Sequence, residues 1–155
     1  MVDLYGVSDF YEWIFLISGV IFFISIIGIF LSAAKINERL IRRFGIITVS
    51  LLLPLIILFI NFVIVRKDAK ILLYTVLIIT YLAVEVLLDF IFKVEFRDKP
   101  STHIPYIVLE YIACFSFIFA SIEINYIMGW VLSVFFWLML VALIYYMIMK
   151  SKRES

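Results

Sequence analysis

The chain has 155 residues, of which 66% are hydrophobic, 16% charged and 18% aromatic, with a mean hydropathy of +1.21. Ordinary soluble domains are roughly 45–50% apolar and about 25% charged, so both a water-soluble globule and a disordered chain are excluded, and lipid is the solvent that fits. The net charge of +1 lacks the basic surplus that nucleic-acid partners show, so no nucleic acid is expected.

A single cysteine, Cys114, rules out an intrachain disulfide and any CxxC pair for zinc or redox work. Its apolar neighbours predict a small buried hydrophobe. Three prolines and five glycines leave no flexible linker, so residues 1–155 read as one compact membrane domain.

A spanning helix needs about 20 apolar residues. In chain order, the uncharged runs predict helices over about 13–34 and 44–65. A third, over 71–92, is interrupted by Glu85 and Asp89. No Lys or Arg occurs from 104 to 149, a stretch that would be about 69 Å long as one helix. It has to fold back, and the polar residues Ser121, Glu123 and Asn125 mark the turn, giving helices over 104–122 and 126–149. The expected fold is an all-α integral membrane protein, a compact bundle of five transmembrane helices.

Short cytoplasmic loops collect Lys and Arg. Lys35, Arg39, Arg42 and Arg43 follow the first helix, Lys93, Arg97 and Lys99 the third, and Lys150, Lys152 and Arg153 the fifth. Only Arg66, Lys67 and Lys70 fall on the other side. That division predicts the N-terminus outside and the C-terminus in the cytoplasm. The segment before Trp13 is acidic and the first apolar run is long, so that helix reads as an anchor rather than a cleaved signal. Isoleucine (28) outnumbers leucine (20), as in an AT-rich genome, which places the expectation in a prokaryotic cytoplasmic membrane.

Helices in lipid associate through close packing of small residues. Ser18, Ser25, Gly28 and Ser32 form such a stripe on the first helix, and Gly129 and Ser133 a small-xxx-small pair on the last. Trp130 and Trp137 are expected to pack or face lipid. Pro54 is mid-span and predicts a kink with a freed carbonyl. Asn61 predicts an interhelical hydrogen bond.

Three carboxylates stand out. A carboxylate in hydrocarbon costs roughly 2.5–3.5 kcal/mol even on the lenient insertion scale, and Glu85, Asp89 and Glu110 are all expected there. Glu85 and Asp89 share one face of the third helix with Tyr81 and Tyr74. His103, Tyr106, Glu110 and Cys114 recur at spacings of three and four on the fourth. Glu85 and Glu110 are each about 9–10 Å in from the cytoplasmic end, so on neighbouring antiparallel helices they stand level. The predicted binding constellation is Glu85, Asp89 and Glu110 with Tyr81, His103 and Tyr106: an acidic pocket opening inward, suited to a proton, a cation or the amine of a lipophilic ligand. The oxygen set is a weak metal signal, so no metal site is assigned and cofactors stay unassigned.

The alternative is structural: Asp89 paired with Lys93, His103 solvated beside Pro105 in a loop, Glu110 bonded to Tyr106 or Arg97, and Glu85 to Tyr81 or a neighbouring helix. Functionally, the first reading is proton- or cation-linked transport, or lipophilic-ligand binding, with a homodimer completing a pathway. The second is a non-catalytic subunit of a membrane assembly with a partner protein. The third is an interfacial lipid enzyme using His103 and Glu110; no hydrolase elbow, HExxH or phosphate loop supports it, so it is the least supported of the three and whether the chain is an enzyme stays open, leaning to no.

Overall fold

The computed structural model describes residues 10–91 and 100–154, with side chains described for 10–88 and 104–153. Every element among them is helical: α1 Phe10–Ala34, α2 Glu38–Ser50, α3 Leu52–Ile64, α4 Ala69–Glu85, a π-helical segment Val86–Ile91, α5 Pro100–Ile124 and α6 Tyr126–Glu154. Taking α2 and α3 together, five helices are long and apolar enough to cross a membrane: Phe10–Ala34, Glu38–Ile64, Ala69–Leu88, Ile104–Ile124 and Tyr126–Arg153. Their outward positions are apolar too. Leu53 and Ile60 on α3, and Trp130, Trp137 and Val141 on α6, are exposed. Helices apolar on every side belong in a large core or in lipid.

Chain direction alternates along the bundle. Phe44 of α2 lies against Gly28 of α1, and Phe62 of α3 against Phe15. Antiparallel α4 and α5 meet through Tyr74–Phe119 and Tyr81–Tyr106. Helix α6 runs parallel to α1, with Leu132 against Gly19, Tyr146 on Phe30, and the Arg153 guanidinium donating to the Ala34 carbonyl. One end of the bundle therefore carries Glu12, the α3–α4 turn and the α5–α6 turn. The other carries the α1–α2 turn and Arg153.

A short turn replaces the longer 35–43 connection expected from hydropathy, and the connection after residue 65 is as short as expected, both for local reasons. At the end of α1, Asn37 N–H donates to Ser32 O at 2.9 Å and Ile36 N–H to Ala33 O at 3.1 Å. At the end of α3, Lys67 N–H donates to Phe62 O at 3.0 Å and Arg66 N–H to Val63 O at 3.2 Å. Both are Schellman caps. Their left-handed residues, Ile36 (φ 53°) and Arg66 (φ 57°), occupy positions where glycine is the usual residue. Asn37 then caps α2 by accepting from Leu40 N–H at 3.2 Å, and Asp68 caps α4 by accepting from Lys70 N–H at 2.8 Å.

Helix α2 starts at Glu38 rather than near 44, because Arg39, Arg42 and Arg43 extend the helix beyond its apolar part. The second span breaks at Leu51, next to Ser50, whose carbonyl loses its helical donor at Pro54. The α5–α6 turn is shorter than the cluster Ser121, Glu123 and Asn125 implied. Helix α5 runs through both Ser121 and Glu123, and Asn125 alone interrupts, capping α6 by accepting from Met128 N–H at 3.0 Å. Gly129 makes this turn possible: a Cβ there would lie 2.9 Å from the Ile122 backbone. The loop reading for His103 is corrected as well, since its backbone lies in α5.

The core runs along α1. Phe15, Phe22, Phe62 and Phe117 are fully buried, with ring centroids 6.1 Å apart for Phe15–Phe62, 5.5 Å for Phe15–Phe117 and 4.9 Å for Phe22–Phe117. Ser18, Ser25 and Ser32 are buried on the same helix, so the small-residue stripe is a packed seam. Ser18 and Ser133 return their hydroxyls to carbonyls of their own helices at 2.7 and 2.9 Å. Cys114 is buried, its Sγ 4.0 Å from Met139 Sδ.

Two stability outcomes follow. Gly129→Ala forces α5 and α6 apart and destabilises by about 1–3 kcal/mol, the range for overpacking. Ile36→Gly and Arg66→Gly each relieve a left-handed non-glycine residue and stabilise by about 0.5–1 kcal/mol, whereas Ile36→Ala does not. Denaturation of the detergent-solubilised protein measures all of these.

Candidate functional site

Glu85 is the last residue of α4 and is 5% exposed. A buried carboxyl has lost its hydration and needs donors from the protein. Tyr106 of α5 supplies one, donating its hydroxyl to Glu85 Oε2. Behind it the Tyr81 hydroxyl lies 3.2 Å from that of Tyr106. With the Tyr106 proton committed to Glu85, Tyr81 is the donor in that second bond. The result is a directed chain, Tyr81 to Tyr106 to Glu85, built from two helices.

Spacing and packing place these groups. Tyr81 and Glu85 are one turn apart on α4 and share a face, and the antiparallel partner brings Tyr106 level with both. The Tyr81 ring is edge-on to Phe22, at 5.9 Å and 87°, so the polar chain sits directly on the aromatic core. Glu110, one turn beyond Tyr106 on α5, is half-buried.

Three of the predicted residues, Tyr81, Glu85 and Tyr106, thus come together between α4 and α5, and Glu110 lies one turn further along α5. Asp89 and His103 do not enter this account: their side chains lie outside the described residues. Among the described residues no group of three or more His, Cys, Asp and Glu is placed to hold a metal ion. The arrangement offers oxygen acceptors and mobile hydroxyl protons in a low-dielectric setting, the means to bind or relay a proton or to hold a small cation.

Two features were missed in the sequence. One is the π-helical segment that begins immediately after Glu85. Such segments are rare and concentrate at functional sites, and no residue in 86–91 signals this one. The other is an ion pair at the opposite end, where Lys67 Nζ bonds Glu12 Oε1. Glu12 is 6% exposed. Its spacing from Phe15, Leu16 and Gly19 puts it on the core face of α1, a signal the sequence did contain. Lys70 and Glu123 form a second, exposed pair there at 3.3 Å.

Among the described residues, the buried polar atoms without a partner lie away from the tyrosine–carboxyl chain: Glu12 Oε2, Asn61 Oδ1 and Ser121 Oγ. The interhelical bond expected of Asn61 is therefore not made by its carbonyl oxygen.

Removing one partner of a largely buried ion pair strands the other charge, at a cost of about 3–5 kcal/mol. Lys67→Met is expected to destabilise on that scale, and Glu12→Gln/Lys67→Met to recover most of the loss, as measured by denaturation in detergent. Comparison with known proteins finds nothing that matches this chain, neither a family model nor a curated protein nor a solved structure.

Proposed function

We propose that this is a small multi-pass protein of a prokaryotic cytoplasmic membrane, N-terminus outside, that takes up a proton or cation from the inner side through Glu85 and Glu110. The observation that carries the reading is the buried Glu85 carboxyl accepting from Tyr106, with the Tyr81 hydroxyl behind it. An intramembrane carboxyl is expensive to keep, and a fold needing only packing would gain as much from an apolar side chain. The π-helical segment beside Glu85 supports the reading independently.

Orientation follows from the distribution of basic residues. Of the three that depart from the rule, Lys67 and Lys70 are engaged by Glu12 and Glu123, which lowers their weight as topology signals. On the far side of Tyr81 the buried rings of Phe22, Phe117, Phe15 and Phe62 close the bundle. The reading is thus of a site open to one side, not a continuous pore.

A flux assay tests it. In proteoliposomes carrying an internal pH dye, the wild-type protein dissipates an imposed proton gradient several-fold faster than empty vesicles, or does so when a permeant cation is added. Glu85→Gln and Glu110→Gln reduce the rate to that of empty vesicles, and Glu123→Gln, in the exposed pair at the opposite end, leaves it unchanged. Equal rates for wild type and both carboxamide variants would overturn the proposal.

The assembly-subunit reading draws on the exposed apolar face of α6 around Trp130, Val134 and Trp137, a face that lipid covers equally well. Crosslinking in membranes separates the two readings: a stoichiometric partner protein supports assembly, and recovery of the chain alone counts against it.

A further inference from the structure

We propose that the Arg153 end of the bundle binds the phosphate groups of anionic phospholipids, at a site formed jointly by the α1–α2 turn, the first turns of α2 and the last turn of α6. Two segments far apart in sequence meet there. The Schellman cap at Ile36 reverses the chain within residues 35–37, so that α2 begins at once and carries Arg39, Arg42 and Arg43 on neighbouring turns. Parallel packing of α6 on α1 brings in Lys150, Lys152 and Arg153, and the bond from Arg153 to the Ala34 carbonyl fixes that tail against the turn. With Lys35, this gathers seven exposed basic residues at one end of the bundle.

Two observations separate this arrangement from an ordinary solvated basic face. The basic residues are interleaved with exposed apolar ones, Ile36 and Leu40, which suits a segment lying at the level of lipid headgroups. The orientation of α2 is held from beneath, because the Phe44 ring lies where any Gly28 side chain would be, 2.6 Å from an added Cβ. Arginines 39, 42 and 43 are thereby presented from a fixed helix, and guanidinium groups match phosphate oxygens two at a time.

Clusters of 4–8 basic residues beside a membrane span attract anionic headgroups. The occupant that fits here is a phospholipid of net negative charge, its phosphate among Arg39, Arg42, Arg43 and Arg153 and its acyl chains alongside Ile36 and Leu40.

The test is thermal unfolding of the purified full chain in neutral detergent, titrated with phosphatidylglycerol, phosphatidylcholine or inorganic phosphate. Phosphatidylglycerol is expected to raise the melting temperature saturably, and the other two to leave it unchanged at the same concentrations. Arg39→Gln/Arg42→Gln/Arg43→Gln weakens the apparent affinity by about tenfold or more. Replacing the same three by Lys retains most of it, and Arg66→Gln/Lys70→Gln at the opposite end changes nothing. Equal shifts with phosphatidylcholine would overturn the proposal, as would equal losses in the two glutamine variants, which would indicate net charge alone. A full shift with inorganic phosphate would assign a free-anion site in place of a lipid one. Should the triple glutamine variant fail to fold, Arg42→Gln alone is expected to give a smaller loss in the same direction, and no loss would contradict the site.

Discussion

A carboxyl group removed from water has to find its donors inside the protein, and the structure is organised around one such requirement. Glu85 is met by Tyr106, which ties α4 to α5. Tyr106 is met by Tyr81, whose ring rests on Phe22 of α1. Two hydrogen bonds and one ring contact thus register three helices against one another. In lipid this matters more than in water, because the hydrophobic effect does not draw helices together and specific bonds and close contacts do. The close contacts are supplied separately, by Gly28 under Phe44 and by Gly129 against the Ile122 backbone.

At the Glu12 end, acidic and basic side chains neutralise each other, one pair largely buried and one exposed. At the Arg153 end, basic side chains project outward. The arrangement suits a bilayer with one leaflet richer in anionic lipid, and it sets the tyrosine–carboxyl chain nearer the basic end. Between the ends the phenylalanine core separates Glu12 from Glu85, so the two carboxylates occupy different environments.

The number of spans and their order were legible because a run of apolar residues long enough to cross hydrocarbon is a strong signal in any context. The kink near Pro54 was legible for an equally direct reason, the missing N–H. Helix ends were not. Arg39, Arg42 and Arg43 read as loop by hydropathy yet continue α2, and Ser121 and Glu123 read as turn yet continue α5. In both cases polarity was mistaken for irregular backbone, whereas capping by Asn37 and Asn125 decides where helices start. The Schellman turns were hidden because Ile36 and Arg66 stand where a glycine would have announced them. At the site, period-3.6 spacing placed Tyr81 with Glu85 and Tyr106 with Glu110, but the depth argument set Glu85 level with Glu110, whereas Glu85 meets Tyr106, one turn nearer the start of α5. Which hydroxyl meets which carboxyl, and the π-helical segment after Glu85, depend on side-chain packing that spacing does not encode.

The measurement that tests the account most directly is a double-mutant cycle between Glu85 and Tyr106. Unfolding free energies of Glu85→Leu, Tyr106→Phe and the double variant are compared with wild type under identical detergent conditions. A direct bond between buried groups gives a coupling of about 1 kcal/mol or more. Additive effects, with no coupling beyond error, would mean that the two side chains do not meet and would remove the basis of the site.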